Sequence, residues 1–162
     1  MERQDLLMEI GVEEMPAHFM PGVLPQFTDL VAASLQEARL DFAQVRTYGS
    51  PRRIALYVQE LAGRQKDLAV KARGPAAKVA YDVQGNPTKA LLGFARGQGV
   101  EVGSVIQEEV KGVPYVFAHK TEKGRPAAEV LPELLVGCLN KLSFPKSMRW
   151  GSGELRFARP IR

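Results

Sequence analysis

Basic and aromatic side chains alternate in residues 144–162, and this combination suits contact with RNA. Residues 144–150 read FPKSMRW, and after a Gly-Ser-Gly hinge residues 157–162 read FARPIR, with Glu154 as the one acid in the whole stretch. Aromatic rings stack on unpaired bases, guanidinium groups bind phosphate, and proline keeps a backbone extended. The same residue types also seal the edge of a hydrophobic core, so the stretch predicts either an RNA contact or a packing seam.

Other reactive side chains lack the neighbours that catalysis requires. Glu13 and Glu14 are adjacent, so their carboxylates point apart, and a hydrolase using Glu13 or Asp82 would need a base or an oxyanion device that the sequence does not show. Cys138 is the single cysteine, and the two histidines have no metal-ligand spacing. The glycines of residues 97–103 follow a helix and make no phosphate loop. We therefore predict no catalytic residue and no metal site, and interpret Cys138 as core filler.

Composition and charge indicate a cytoplasmic protein with two unlike halves. The 162 residues are 45% hydrophobic and 25% charged, with no stretch of membrane-spanning length and no signal peptide. Residues 1–62 carry five basic and nine acidic side chains, whereas residues 63–162 carry seventeen basic and nine acidic ones. This asymmetry favours a polyanion on one side and another subunit on the other, although solvated charge can also be uneven by chance.

Hydrophobic periodicity predicts the elements that must hold these residues. In the first part, residues 5–11 read as a strand, 25–39 as a helix, and 45–48 and 54–58 as strands flanking a turn with Arg52 and Arg53. In the second part we expect a short helix from Pro87 or Thr88 with Leu91, Leu92 and Ala95 facing inward.

A hairpin and a long helix complete this prediction. Lys111-Gly112 joins the hairpin strands, and the helix from Pro126 is the clearest in the sequence. The predicted fold class is α+β, with antiparallel sheets covered by helices, as one domain or two small packed lobes. We place the lobes at 1–62 and 63–143, followed by a basic aromatic seam at 144–162.

Six blocks in order resemble one family. They lie at residues 6–16 (LLMEIGVEEMP), 50–55 (SPRRIA), 73–75 (RGP), 85–96 (GNPTKA followed by GFAR), 144–150 and 157–162. Together they closely resemble the N-terminal part of the β subunit of bacterial tetrameric glycyl-tRNA synthetase. Met15 and Tyr81 depart from the pattern, where leucine and phenylalanine are expected.

The resemblance implies a role within a larger enzyme. In that family a class II α subunit forms the glycyl adenylate from glycine and ATP, the β subunit supplies tRNA binding, and the assembly is α2β2. The chain would then be an N-terminal fragment whose partners are the α subunit, tRNA(Gly) and the remaining domains of β. ATP and Mg²⁺ would serve the complete complex, with none bound by this chain.

Two sets of residues are candidates for these contacts. The resemblance and the charge pattern favour tRNA contact through basic residues, namely Arg52, Arg53, Arg73, Lys89, Arg96, Lys146, Arg149, Arg159 and Arg162. Candidates for subunit or domain contact are Glu13, Glu14, Phe144 and Trp150. The alternative is a protein-interaction lobe of the same subunit with no direct tRNA contact. An exposed Trp150 would favour a recognition surface and a shielded one would favour packing; we expect Phe144 and Trp150 to pack, with Lys146, Arg149 and Arg159 left as candidates for tRNA contact.

Overall fold

Alternating and helical apolar patterns produce eight strands and four helices within residues 2–162, which the computed structural model describes. The strands are β1 (Arg3–Gly11), β2 (Gln44–Ser50), β3 (Arg53–Ala62), β4 (Leu68–Ala76), β5 (Ile106–Val110), β6 (Val113–Glu122), β7 (Met148–Arg149) and β8 (Arg156–Phe157). The helices are α1 (Met20–Glu37), α2 (Ala77–Ala80), α3 (Lys89–Gln98) and α4 (Ala127–Lys141), with single 3-10 turns at Ala17–Phe19 and Val102–Ser104. The predicted α+β class with antiparallel sheets is confirmed.

The first sheet is antiparallel with the order β1-β3-β2. Its central strand buries Ile54, Leu56 and Val58 completely, which is the inward face that the alternation predicts. Helix α1 packs on this face with Phe27 and other fully buried side chains. One face of the sheet thus belongs to the core of the first unit.

Helix α1 begins five residues earlier than the predicted start at Pro25. Proline favours the start of a helix because its missing N–H has no partner there, and Pro21 fills that position. Pro25 therefore lies inside the helix and removes one backbone hydrogen bond. Burial of Val23 against the core offsets that loss.

The end of α1 is a Schellman motif with an arginine at the left-handed position. Leu40 N–H donates to Leu35 O and Arg39 N–H to Gln36 O, both at 2.9 Å, and Arg39 has φ 58°. Glycine is the usual residue here because a Cβ is strained at positive φ. Nη1 of Arg39 is also buried without a hydrogen-bond partner.

We expect Arg39→Gly to raise the free energy of unfolding by about 1 kcal/mol, because it removes backbone strain and an unpaired buried nitrogen. Urea unfolding followed by Trp150 fluorescence measures the change. Ala38→Gly is the control: Ala38 has an ordinary helical φ, so this variant should be less stable than the wild type. A less stable Arg39→Gly would show that the arginine side chain contributes more than its strain costs.

Contacts divide the structure into two compact units that differ from the predicted lobes. One unit holds the described residues up to Lys66 together with Gly124–Arg162, and the other holds Asp67–Lys123. Helix α4 lies against α1, where the thiol of Cys138 donates to Ser34 Oγ at 3.3 Å. The predicted boundary at 62 is near the observed one, but α4 belongs with the first unit because its apolar face completes that core.

The second unit is a three-stranded antiparallel sheet in the order β4-β6-β5, with α2 and α3 on one face. Its small core contains Ala80, Leu91 and Val116, all fully buried. The β5–β6 hairpin turns at Lys111 and Gly112, which both have positive φ, as a type I′ turn requires. The prediction that Leu92 faces inward is wrong, because this side chain is 47% exposed.

Candidate nucleic-acid interface

The Gly-Ser-Gly hinge folds the basic stretch into a short hairpin, called here the basic hairpin (residues 146–157). Strands β7 and β8 pair antiparallel around the turn, where Gly151 has φ 59°. Met148 lies opposite Phe157 and Arg149 lies opposite Arg156. Side chains directly opposite in a ladder share a face, so the hairpin has one apolar face and one basic face.

The apolar face is anchored in the core of the first unit. Phe157 is 1% exposed and belongs to the main hydrophobic cluster. The ring of Phe144 meets it edge-to-face, with centroids 4.6 Å apart. Nε1 of Trp150 donates to the carbonyl oxygen of Phe157 at 3.0 Å. Phe144 and Trp150 thus pack around Phe157, and the basic face is held at a defined place.

The basic face carries cations that have no acidic partner. Arg149 and Arg156 on this face are exposed, as is Lys146, which precedes β7, and none of the three forms an ion pair within residues 2–162. Arg156 donates from Nη2 to the carbonyl oxygen of Ser147 at 3.2 Å, which fixes part of its guanidinium. Like charges directly opposite in a ladder repel each other. An anion bound between Arg149 and Arg156 would relieve that repulsion.

Arg156 was not among the residues predicted from the sequence. It stands four residues beyond Ser152, the middle of the hinge, while Arg149 stands three before it. A hairpin centred on Ser152 would place Leu155, and not Arg156, opposite Arg149, so the glycines indicate a turn without showing which residues pair.

A second group of candidates surrounds the acidic turn (residues 12–15). Backbone hydrogen bonds of 2.7–3.0 Å join residues 11–15 to residues 51–52 on one side and to residues 160–162 on the other. Val12 and Ile161 also form an isolated antiparallel bridge. The fold therefore brings Arg52, Arg53, Arg159 and Arg162 together, although they are distant in sequence.

Most arginines of this group already have partners. Nη2 of Arg162 lies 3.1 Å from Oε1 of Glu13, and Nη1 of Arg53 lies 3.1 Å from Oε1 of Glu9. Nε of Arg159 donates to the backbone oxygen of Glu14 at 3.0 Å. These ion pairs are exposed and contribute little stability, but they offset the positive charge. Arg52 is left as an exposed side chain with no ion pair among residues 2–162.

The remaining candidates belong to the second unit. Arg73 projects from β4, and its guanidinium lies 3.7 Å from the ring centroid of Tyr115. Lys89 and Arg96 are both exposed on α3, seven residues apart and so on the same side. The two helix residues make no ion pair in the described part of the chain.

Shifted pKa values in this structure have local structural causes. The backbone N–H of Glu60, and then the hydroxyl of Tyr57, hold the pKa of Asp5 below its usual value; the same contact with Asp5 raises the pKa of Tyr57. The pKa of Asp82 is lowered mainly by the backbone N–H of Asn86, within a tight turn. An exposed carboxylate that stays ionised to lower pH is unsuited to act as a general acid near neutrality.

The described residues hold no cluster of three or more histidine, cysteine or acidic side chains that could bind a metal ion. No helix within residues 2–162 combines the length and the apolar character needed to cross a membrane.

Comparison with known proteins shows similarity along nearly the whole chain. A family model described as glycyl-tRNA synthetase beta subunit matches residues 6–162. The glycine–tRNA ligase beta subunit of Moorella thermoacetica is 54% identical over 159 residues, covering 98% of this chain and 23% of the relative. The corresponding subunits of Syntrophomonas wolfei and Bacillus subtilis are 52% and 44% identical. The chain spans about a quarter of the length of these relatives.

Proposed function

The chain belongs to the glycyl-tRNA synthetase beta subunit family, and from this we propose that it contributes tRNA binding and assembly to the ATP-dependent attachment of glycine to tRNA(Gly). Its proposed partners are the α subunit, tRNA(Gly) and the rest of the β subunit, in the cytoplasm. ATP and Mg²⁺ would be used by the complete complex, with neither bound by this chain.

The observation that carries the tRNA proposal is the opposed pair Arg149 and Arg156 on the basic hairpin. Phe157 anchors the hairpin backbone in the core, Arg149 and Arg156 pair on one face of the hairpin, and neither forms an ion pair among the described residues. Arginine forks match phosphate oxygens, and neutralising a phosphate releases counterions. The hairpin is therefore suited to the RNA backbone and reads no base sequence.

We expect the double variant Arg149→Gln/Arg156→Gln to weaken tRNA binding by the complete complex about tenfold at low salt, because two phosphate contacts are lost. A plot of log affinity against log salt should become shallower by about one to two units for the same reason. Filter binding or fluorescence anisotropy at several salt concentrations measures both quantities.

The control removes the same charge elsewhere in the first unit. Arg3 and Arg46 are exposed, and neither belongs to the basic hairpin. Arg3→Gln/Arg46→Gln should change the affinity less than twofold. Trp150 emission should be unchanged in both double variants, which verifies that the hairpin is folded. Equal tRNA affinity and equal salt slope for the hairpin variant and the wild type would refute the proposed contact.

A purely structural interaction lobe is the second candidate, and the partners of Arg159 and Arg162 favour it. Both arginines are held by the acidic turn, and the rings of Phe144 and Trp150 are occupied in packing. In that case the hairpin variant would bind tRNA normally, whereas Glu13→Ala/Glu14→Ala would lower the fraction of β subunit that assembles with α. Size-exclusion chromatography of the mixed subunits measures that fraction.

A further inference from the structure

Three ring side chains stand in a row on the central strand of the second sheet. Tyr115, Phe117 and His119 alternate along β6 and so share one face, which we call the ring face. Helices α2 and α3 pack on the opposite face, where Val116 is fully buried. The elements of the second unit thus leave the ring face without a helical cover.

Cations from the neighbouring strand lie over these rings. The register places Lys71 opposite His119 and Arg73 opposite Phe117. Nζ of Lys71 is 4.5 Å from the centroid of Phe117, and Arg73 stacks at 3.7 Å from that of Tyr115. A guanidinium stacked on a ring still offers its second flat side to a ligand.

The edge strand β5 and the first residue of β6 add apolar surface and one acid to the same face. Ile106 lies opposite Phe117 and is 40% exposed, and Val113 at the hairpin end is 37% exposed. Glu108 lies opposite Tyr115 and forms an ion pair with Lys71. The ring face therefore combines the half-buried Tyr115 ring and the exposed His119 ring, on either side of a Phe117 ring that is 8% exposed, with apolar edges and a positive balance among the described residues.

We propose that the ring face binds an unpaired segment of RNA. Bases would stack on the outer side of the Arg73 guanidinium and on the rings of Tyr115 and His119, while Lys71 would exchange Glu108 for a phosphate. Residues two apart on a strand are separated by about 7 Å, which is twice the rise between stacked bases in a nucleic-acid strand. The spacing therefore fits splayed, unpaired bases and does not fit a continuous helical stack.

This site goes beyond the proposed function because it assigns base stacking to residues outside the basic hairpin. It shares no residue with that hairpin, so the two proposals can fail separately. The probe is a fluorescein-labelled U8 oligonucleotide, which forms no secondary structure, titrated into the 162-residue chain at two or more salt concentrations.

We expect Tyr115→Leu to weaken U8 binding at least fivefold without changing the salt slope, because a stacking surface is lost and no charge is removed. Tyr115→Phe should bind like the wild type, since it keeps the ring. Arg73→Gln should weaken binding because a stacking surface is lost. Lys71→Gln should make the salt slope shallower by about 0.7, the value for one phosphate contact on a single strand.

Matched controls remove the same groups elsewhere. Tyr48→Leu removes a tyrosine that is 52% exposed on the first sheet, and Lys120→Gln removes a charge from the other side of β6. Both should change U8 affinity less than twofold. Circular dichroism identifies any variant that fails to fold, and Arg73→Gln, an exposed position, then still tests the site.

Several results would overturn the inference. One is wild-type U8 affinity in Tyr115→Leu, and another is equal binding of octaglutamate and U8, which would indicate a surface that reads charge alone. Loss of U8 binding in Arg149→Gln/Arg156→Gln with no change in Tyr115→Leu would assign all binding to the basic hairpin. Wild-type tRNA affinity in that double variant together with fivefold weaker U8 binding in Tyr115→Leu would instead refute the hairpin and keep the ring face.

Discussion

Replacing Gly124 by alanine is expected to destabilise the first unit by about 3 kcal/mol or more. A Cβ built on Gly124 would lie 1.8 Å from the backbone oxygen of Gln65 and 2.5 Å from its carbonyl carbon. Both contacts are with main chain, so no side-chain rotation can relieve them. The substitution therefore requires the two backbone segments to separate.

The surrounding hydrogen bonds oppose that separation. Gln65 N–H donates to Arg125 O at 3.0 Å, and Ala127 N–H donates to Gly63 O at 2.9 Å. Nε of Arg64 donates to the backbone oxygen of Gly124 at 2.8 Å. Moving the segments apart would break these bonds. Residues 63–65 directly follow β3 and residues 124–126 directly precede α4, so the bonds tie the end of the strand to the start of the helix. Strain at this point would thus reach the core of the first unit.

Urea unfolding followed by Trp150, the single tryptophan, measures this loss in the correct unit. Gly137 supplies the control: it lies inside α4 of the same unit, and a Cβ there meets nothing within 4 Å. Gly137→Ala should raise the free energy of unfolding by about 0.5–1 kcal/mol, because alanine is the better helix former. If both alanine variants gain stability, the backbone at Gly124 can adjust and the steric argument is wrong.

Elements with a regular apolar pattern could be predicted from the sequence. The alternation of Ile54, Leu56 and Val58 gives the buried face of β3, and the repeat within α4 gives its buried Leu135 and Cys138. The β5–β6 turn follows from Lys111-Gly112, because few residue pairs tolerate positive φ at both positions. These are local features, and local chemistry is enough to determine them.

Features that depend on distant parts of the chain could not be predicted in the same way. Helix α4 packs beside α1, although residues 67–123, which form the second unit, separate the two helices in the sequence. Apolar periodicity shows that a helix has a buried face without showing what covers it. The contacts of Arg162 with Glu13 and of Arg159 with the backbone of Glu14 depend on a strand-like bridge between residues 12 and 161. The charge pattern of the sequence therefore could not show that these arginines already have partners within the chain.

The candidate site also contains residues that could be predicted from the sequence and one that could not. Sequence reasoning identified Lys146 and Arg149 as basic residues beside aromatic ones, and the structure leaves both exposed. It missed Arg156, whose importance arises from its position opposite Arg149 in a ladder of only two pairs. Such a short hairpin has too few residues to show a period, so the pairing is visible only in three dimensions.

We expect Phe157→Ala to lower the free energy of unfolding by about 3–5 kcal/mol and to release the basic hairpin from the core. The ring of Phe157 is 1% exposed and packs edge-to-face on Phe144, and the carbonyl oxygen of the same residue accepts the indole N–H of Trp150. Truncation leaves a cavity bounded by groups that are already held by the rest of the core, so the site cannot collapse fully.

The functional effect of Phe157→Ala follows from the same anchor. Once the hairpin is loose, Arg149 and Arg156 are no longer held on one face, and the entropy of ordering them opposes phosphate binding. We therefore expect the Trp150 emission maximum to shift to longer wavelength, iodide quenching of Trp150 to increase, and tRNA affinity of the complex to fall. Met148→Ala is the matched control, because Met148 pairs with Phe157 but is 43% exposed, and it should cost less than about 1 kcal/mol. Unchanged quenching of Trp150 in Phe157→Ala would mean that the hairpin is held by contacts other than this ring, and the link between core packing and RNA binding would then be lost.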